Sequence, residues 1–62
     1  MNMNRDKVKE EYGEEIEKYV SERIEEDYGA NGLDLYVSGG MDEEVIEVYV
    51  EDFFNEWLSK GR

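Results

Sequence analysis

Carboxylates are the chemically reactive side chains that this sequence offers in number. Asp and Glu supply 18 of its 62 residues, while His and Cys are absent. Paired carboxylates can act as general acid and base where a walled cleft pushes their pKa values apart. Without His and Cys there is no imidazole base, thiol nucleophile, disulfide or usual zinc site. So short a chain leaves little volume for a catalytic cleft, and we predict no enzymatic activity and no cofactor.

One short segment has the spacing of a calcium-binding loop. Asp27, Asn31 and Gly32 stand at the first, fifth and sixth positions of an EF-hand pattern. The pattern then fails, because Gly29 stands at the third position and Ser38 at the twelfth, where a bidentate Glu is needed. The segment therefore predicts no metal site, but the end of a helix followed by an Asn-Gly turn.

The charge of the chain limits its partners. The formal net charge is −11, and between residues 10 and 59 only Lys18 and Arg23 offset 17 carboxylates. Such a chain repels nucleic acid and anionic membranes, so we expect it to bind neither directly. Its natural partner is a basic protein surface.

The carboxylates are regularly spaced on the first predicted helix. Glu11, Glu15, Glu22 and Glu26 are four residues apart with one gap, and like charges at that spacing destabilise a helix by a few tenths of a kcal/mol. One interpretation is a solvated face that keeps the protein soluble; the other is an array of carboxylates that imitates phosphates. For the second, the predicted partner-binding residues are Glu10, Glu11, Glu14, Glu15, Glu22, Glu26 and Asp27.

The densest apolar feature is an aromatic cluster near the end of the chain. A chain of this size buries only about 60% of its unfolded surface, so a core formed by one copy is marginal. Most of these aromatic residues belong to the predicted core, but one short helix presents more apolar area than a single neighbour covers. We predict a homodimer whose seam includes Phe53, Phe54 and Trp57.

The predicted order of elements is α-β-β-α. An apolar residue every fourth position predicts a long helix over 5–28, with Asn4 as N-cap and Gly13 as a weak point in its first turns. Alternation predicts a strand at 33–37. Residues 43–58 fit a helix or a strand, but the first strand needs a partner, which favours a second strand at 44–50 and a helix at 51–60 ended by Gly61.

This reading gives a small α+β domain with a two-stranded antiparallel hairpin, spanning residues 1–62. An α-β-α order, with its strand paired to a second subunit, remains the alternative. In the hairpin, the residues expected to face the helices are Leu35, Val37, Ile46, Val48 and Val50.

Small size, strong acidity, absence of Cys and a minimal α/β fold together resemble the phage and mobile-element inhibitors of host defence, such as anti-CRISPR and anti-restriction proteins. The predicted acidic last helix, with Glu51, Asp52 and Glu56, also resembles that of the DNA-damage-inducible protein I family. The first resemblance implies an inhibitor that mimics DNA on the basic surface of a defence nuclease or effector complex, in the host cytosol. A dimeric structural or adaptor protein is the alternative.

Overall fold

The computed structural model describes residues 2–60. Their elements run in the order β1 (Asn2–Met3), α1 (Arg5–Tyr12), α2 (Glu14–Ser38), β2 (Met41–Asp42) and α3 (Glu43–Ser59). The structure is mostly helical, with one two-stranded antiparallel ladder. A small α+β domain with such a ladder is confirmed at this level. The positions of the strands and the extents of the helices differ from the prediction.

The predicted helix over residues 5–28 is divided at Gly13. This residue has φ 99° and ψ 168°, a backbone conformation that residues with a Cβ rarely adopt. Therefore α1 ends at Tyr12 and α2 begins at Glu14. Asn4 caps α1 as predicted, because its Oδ1 accepts a hydrogen bond of 2.9 Å from the Lys7 N–H. A single continuous helix was the wrong prediction.

A second glycine bends α2. Gly29 has φ 79° and ψ −169°, which divides the helix into a first segment, 14–28, and a second segment, 30–38. The predicted strand at 33–37 and the predicted Asn31-Gly32 turn are therefore wrong, since both lie in the second segment. The helix ends in a Schellman motif, in which the Gly40 N–H donates to the Leu35 carbonyl at 2.8 Å.

Residues 43–59 form one continuous helix, so the predicted strand at 44–50 and the shorter helix at 51–60 are also wrong. The deciding argument for that strand was that a strand at 33–37 would need a partner, and residues 33–37 are helical, so they need none. The α-β-α alternative was right about a helix over 43–58 and wrong about its strand at 33–37, which belongs to α2. Asp42 caps α3 by accepting a hydrogen bond of 3.1 Å from the Glu44 N–H. The predicted end at Gly61 lies outside the described residues.

The two strands are short and each leads directly into a helix. Asn2 pairs with Asp42 and Met3 with Met41, and both Met side chains are buried. This ladder joins the residues just before α1 to the residues just before α3. The core that it closes comprises Met3, Val8, Ile16, Val20, Ile24, Tyr36, Met41, Ile46, Tyr49 and Val50.

The side chains of the two predicted strands follow a helical pattern of burial. Ile46 and Val50 are buried as expected, but Leu35, Val37 and Val48 are exposed. Tyr36, which the alternating pattern would turn away from the helices, has no exposed surface. A three- to four-residue period therefore replaces the predicted period of two.

Candidate protein-binding surface

The first segment of α2 has one face in the core and the opposite face in solvent. Ile16, Val20 and Ile24 lie on the buried side. About 100° separates successive residues of a helix, so the opposite side carries five Glu and one Lys, all of them exposed. We call this set the acidic face of α2: Glu14, Glu15, Lys18, Glu22, Glu25 and Glu26.

Four of the predicted partner-binding residues lie together on this face: Glu14, Glu15, Glu22 and Glu26. Within residues 2–60, only Glu26 of these makes an ion pair, at 3.6 Å from Nε of Arg23. Glu25 belongs to the same face and was missed. Its signal was available in the sequence, because Glu25 follows Glu14 by 11 residues, which is close to three full turns.

The other three predicted residues do not join the acidic face. Glu10 and Glu11 lie on α1, before the break at Gly13, and each forms an ion pair with Lys7, at 4.0 Å and 3.7 Å. Asp27 turns toward α3 and accepts a hydrogen bond of 2.6 Å from the Tyr49 hydroxyl. The predicted four-residue spacing across Gly13 therefore does not produce a continuous row.

Polar groups link α2 to α3. The Tyr19 hydroxyl donates to Glu56 Oε2 at 2.8 Å and accepts a hydrogen bond of 2.7 Å from the Arg23 guanidinium. The same guanidinium lies 3.5 Å from Glu56 Oε2, and its central carbon lies 5.6 Å from the centroid of the Tyr19 ring. Burial and the bond to Glu56 raise the pKa of Tyr19.

A carboxylate lies inside the core. Glu17 is buried, and its Oε2 accepts hydrogen bonds from the Ser21 hydroxyl and, at 3.3 Å, from the Tyr36 hydroxyl. Burial and the Glu17 carboxylate raise the pKa of Tyr36. The sequence held a signal for this position, since Glu17 precedes the buried Ile24 by seven residues and so shares its side of the helix. The hydrogen bond from Tyr36 to Glu17 joins the two segments of α2 across the bend.

The last turns of α3 carry exposed apolar side chains. The exposed fractions are 44% for Phe54, 58% for Trp57 and 66% for Leu58, and we call these three the C-terminal patch. Phe53 is half-buried, because its ring makes edge contacts with the rings of Tyr19 and Phe54, with centroids 5.3 Å and 5.7 Å away. The exposed area of the predicted dimer seam therefore comes from Phe54 and Trp57, and Leu58, which was not part of that prediction, adds to the exposed apolar surface.

The part of the chain that the structure describes has no cluster of three or more carboxylates arranged to hold a metal ion. The segment with the EF-hand spacing does not form a loop, since residues 27–32 belong to α2 and its bend. None of the described helices is both long and apolar enough to span a membrane.

Comparisons with protein-family models, with curated proteins and with solved structures found no match for this chain.

Proposed function

We propose that this protein is a non-enzymatic inhibitor that occupies the basic nucleic-acid-binding surface of a nuclease or effector complex. The observation that carries the proposal is the acidic face of α2, where five Glu and one Lys share the solvent side of a helix anchored in the core by its other side. Glu14, Glu15, Glu22 and Glu25 make no ion pair within residues 2–60, so their charges remain available to a partner.

The spacing of these charges supports mimicry of a single nucleic-acid strand. From Glu14 to Glu26 the helix rises about 18 Å, at about 1.5 Å per residue. One strand of duplex DNA carries a phosphate about every 3.4 Å along the axis, or about five over the same distance. The acidic face, with five Glu and one Lys, carries a net charge of −4 over that distance, which is close to the charge of the strand and extends from a helix rather than a flexible backbone.

The packing behind the face supports a rigid presentation. Val20 and Ile24 have no exposed surface, and the buried Glu17 is held by two hydroxyl groups. Backbone motion of this segment would disturb the core, so the Cα positions from which the exposed Glu side chains extend stay fixed when a partner approaches. Complementary charges of this kind act mainly on the association rate and on specificity.

A charge-reversal experiment tests the proposal. Proteins captured from lysate on the immobilised chain are purified, and displacement of a fluorescent oligonucleotide from each is measured by anisotropy. Changing Glu14, Glu22 and Glu25 to Lys should raise the concentration needed for displacement by at least about tenfold, since each reversal replaces an attraction with a repulsion.

A matched variant changes three exposed residues of α3, Glu44, Glu47 and Glu51, to Lys. It alters the net charge by the same amount on a different face. We expect the concentration needed for displacement to rise by less than about threefold, because this variant weakens only the long-range attraction to the partner. Equal effects of the two triple variants would show that only net charge matters. Full displacement by the first variant, with an intact fold by circular dichroism, would contradict the proposal.

A dimeric adaptor is the second candidate, and the observation that favours it is the C-terminal patch. Trp is enriched at the centres of protein interfaces. Trp57, Phe54 and Leu58 together expose apolar surface that contact with a second copy would bury. In that case the acidic face serves solubility, and reversal of its charges changes no partner binding.

A further inference from the structure

A cleft separates the start of α2 from the last turns of α3. It has a volume of about 220 Å³ and is lined by Glu15, Tyr19, Phe53, Glu56, Trp57 and Lys60. Glu15 is also part of the acidic face, so the cleft lies at one end of that face. A partner that binds the acidic face along its length therefore reaches the cleft as well.

The lining combines two kinds of group that attract the same ligand. The carboxylates of Glu15 and Glu56 favour a cation, and aromatic rings attract a cation over their faces. A guanidinium uses both, because its plane stacks on a ring while its N–H groups form paired hydrogen bonds with a carboxylate. A Lys ammonium has no plane to stack and is more strongly hydrated, so it fits this lining less well.

Tyr19 and Glu56, two of the lining residues, already bind a guanidinium within the protein, that of Arg23. It lies against the Tyr19 ring and its NH1 contacts both the Tyr19 hydroxyl and Glu56 Oε2. Within residues 2–60, the hydrogen bonds and the ion pair of Glu56 use its Oε2 and not its Oε1, and the Glu15 carboxylate makes neither a hydrogen bond nor an ion pair. The carboxylate oxygens of the cleft thus keep accepting capacity after Arg23 is bound.

We propose that the cleft binds an Arg side chain of the partner protein. The proposal rests on the proposed function for its partner and deepens it, because it names the side chain that the end of the acidic face recognises. Lys60 is the one cation among the lining residues, and within residues 2–60 it forms no ion pair with Glu15 or Glu56. Trp57, the single Trp of the chain, closes the apolar side of the site and reports its occupancy.

Titration with short peptides tests this site directly. The probes are acetyl-Gly-Arg-Gly-amide, the same peptide with Lys, and the same peptide with uncharged citrulline, each at constant ionic strength. Two-dimensional NMR follows the Trp57 indole N–H and the ring protons of Tyr19 and Phe53. We expect saturable shifts with the Arg peptide, weaker affinity for the Lys peptide and no saturation with citrulline.

Adjacent substitutions provide the matched control. Glu15→Gln should weaken binding of the Arg peptide about fivefold. Glu14→Gln is the same change one residue earlier and outside the cleft, and it should change the affinity by less than about twofold. Lys60→Ala should leave binding as strong or strengthen it. Both Gln variants alter exposed residues, and circular dichroism checks that they fold.

Equal losses in Glu14→Gln and Glu15→Gln would mean a general ionic attraction and would overturn the site, and so would the absence of saturable shifts at Trp57, Tyr19 and Phe53 with the Arg peptide. Loss of binding in Lys60→Ala would overturn it as well. Failure of the proposed function looks different: the Arg peptide would still saturate the cleft while the protein displaced no oligonucleotide from any captured protein.

Discussion

The two ends of α3 differ sharply in what covers them. Near its start, Ile46 has no exposed surface and packs with Val8, Val20 and Tyr36, which are also fully buried. Near its end, Trp57 and Leu58 are more than half exposed. Yet the same helical stripe continues through both ends, since Ile46, Val50, Phe53 and Trp57 follow one another at intervals of three and four residues.

The difference comes from where the neighbouring helix begins. α2 runs antiparallel to α3, so that Asp27 meets Tyr49, Tyr19 meets Phe53, and Glu15 lies by Trp57. Because α2 begins at Glu14, its first turn covers little of α3 beyond Trp57. An apolar stripe thus marks which side of a helix is suited to burial, while the length of the neighbour decides how much of it is buried.

The largest expected effect is the difference in stability cost between a substitution in the core, at Ile24 of α2, and one at the exposed end of α3, at Trp57. Ile24→Ala removes buried methyl groups and should lower the free energy of unfolding by about 3 kcal/mol, through lost burial and an unfilled cavity. Trp57→Ala acts on a side chain that is 58% exposed and should cost less than about 1 kcal/mol. Urea unfolding followed by circular dichroism measures both.

If Ile24→Ala leaves too little folded protein to measure, Ile24→Val provides a milder change at the same position. Its expected cost is about 1 kcal/mol. A cost for Trp57→Ala as large as that for Ile24→Ala would mean that Trp57 is covered in solution. The comparison between the two ends would then fail, and the C-terminal patch would be an interface under the conditions of the measurement.

The packed region should also respond to alkaline pH. Burial and the neighbouring carboxylate raise the pKa of Tyr36, and burial and the bond to Asp27 raise that of Tyr49. Their stabilising contribution is complete below pH 10, where both rings are protonated in the folded and unfolded chains. Above pH 10 the unfolded rings ionise first, so the free energy of unfolding should fall with a slope that approaches about 1.4 kcal/mol per pH unit for each Tyr.

Tyr36→Phe and Tyr49→Phe provide the control for this prediction. Each should remove the contribution of one Tyr to the fall of the free energy of unfolding between pH 10 and 11, and the double variant should remove both contributions. Urea unfolding at constant ionic strength measures them. A slope that stays the same in the double variant would show that other groups cause the alkaline loss.

The local period of the sequence predicted the first half of the fold. Val8, Ile16, Val20 and Ile24 are buried as their spacing indicated. The period could not show whether the backbone turns at Gly13, because the stripe continues in register on both sides of it. Only the positive φ at that residue separates α1 from α2.

The second half was mispredicted because one wrong element produced another. Leu33 to Val37 alternates like a strand, but a buried Tyr36 with its hydroxyl on Glu17 makes a helix the better arrangement. That bond joins residues 19 apart, and no short-range pattern contains it. Once a strand was assumed there, the β-branched residues of α3 became its expected partner.

The candidate site was predictable where it depends on one helix. Glu14, Glu15, Glu22 and Glu26 share a face because a helical period places them there. The cleft was not predictable, since Glu15 meets Trp57 only through the antiparallel packing of α2 and α3. Two of its aromatic residues, Phe53 and Trp57, had instead indicated a dimer seam.

The smallest expected effect on stability tests that seam at the exposed end. Leu58→Lys changes a side chain that is 66% exposed, so the free energy of unfolding at low protein concentration should change by less than about 0.5 kcal/mol. If the C-terminal patch joins two copies, the same change should strongly weaken their association. Sedimentation velocity over a range of concentrations, in 50 mM and 500 mM NaCl, measures the mass.

Salt separates this association from binding to a basic partner. Two chains of net charge −11 repel each other, so screening by 500 mM NaCl should strengthen a homodimer held by apolar contacts, while it weakens binding to a cationic surface. Leu58→Lys makes the chain less negative, which by itself favours association between acidic copies. Weaker association of this variant can therefore be assigned to the lost apolar contact, and a mass of one chain at every concentration and both salt levels would contradict the seam.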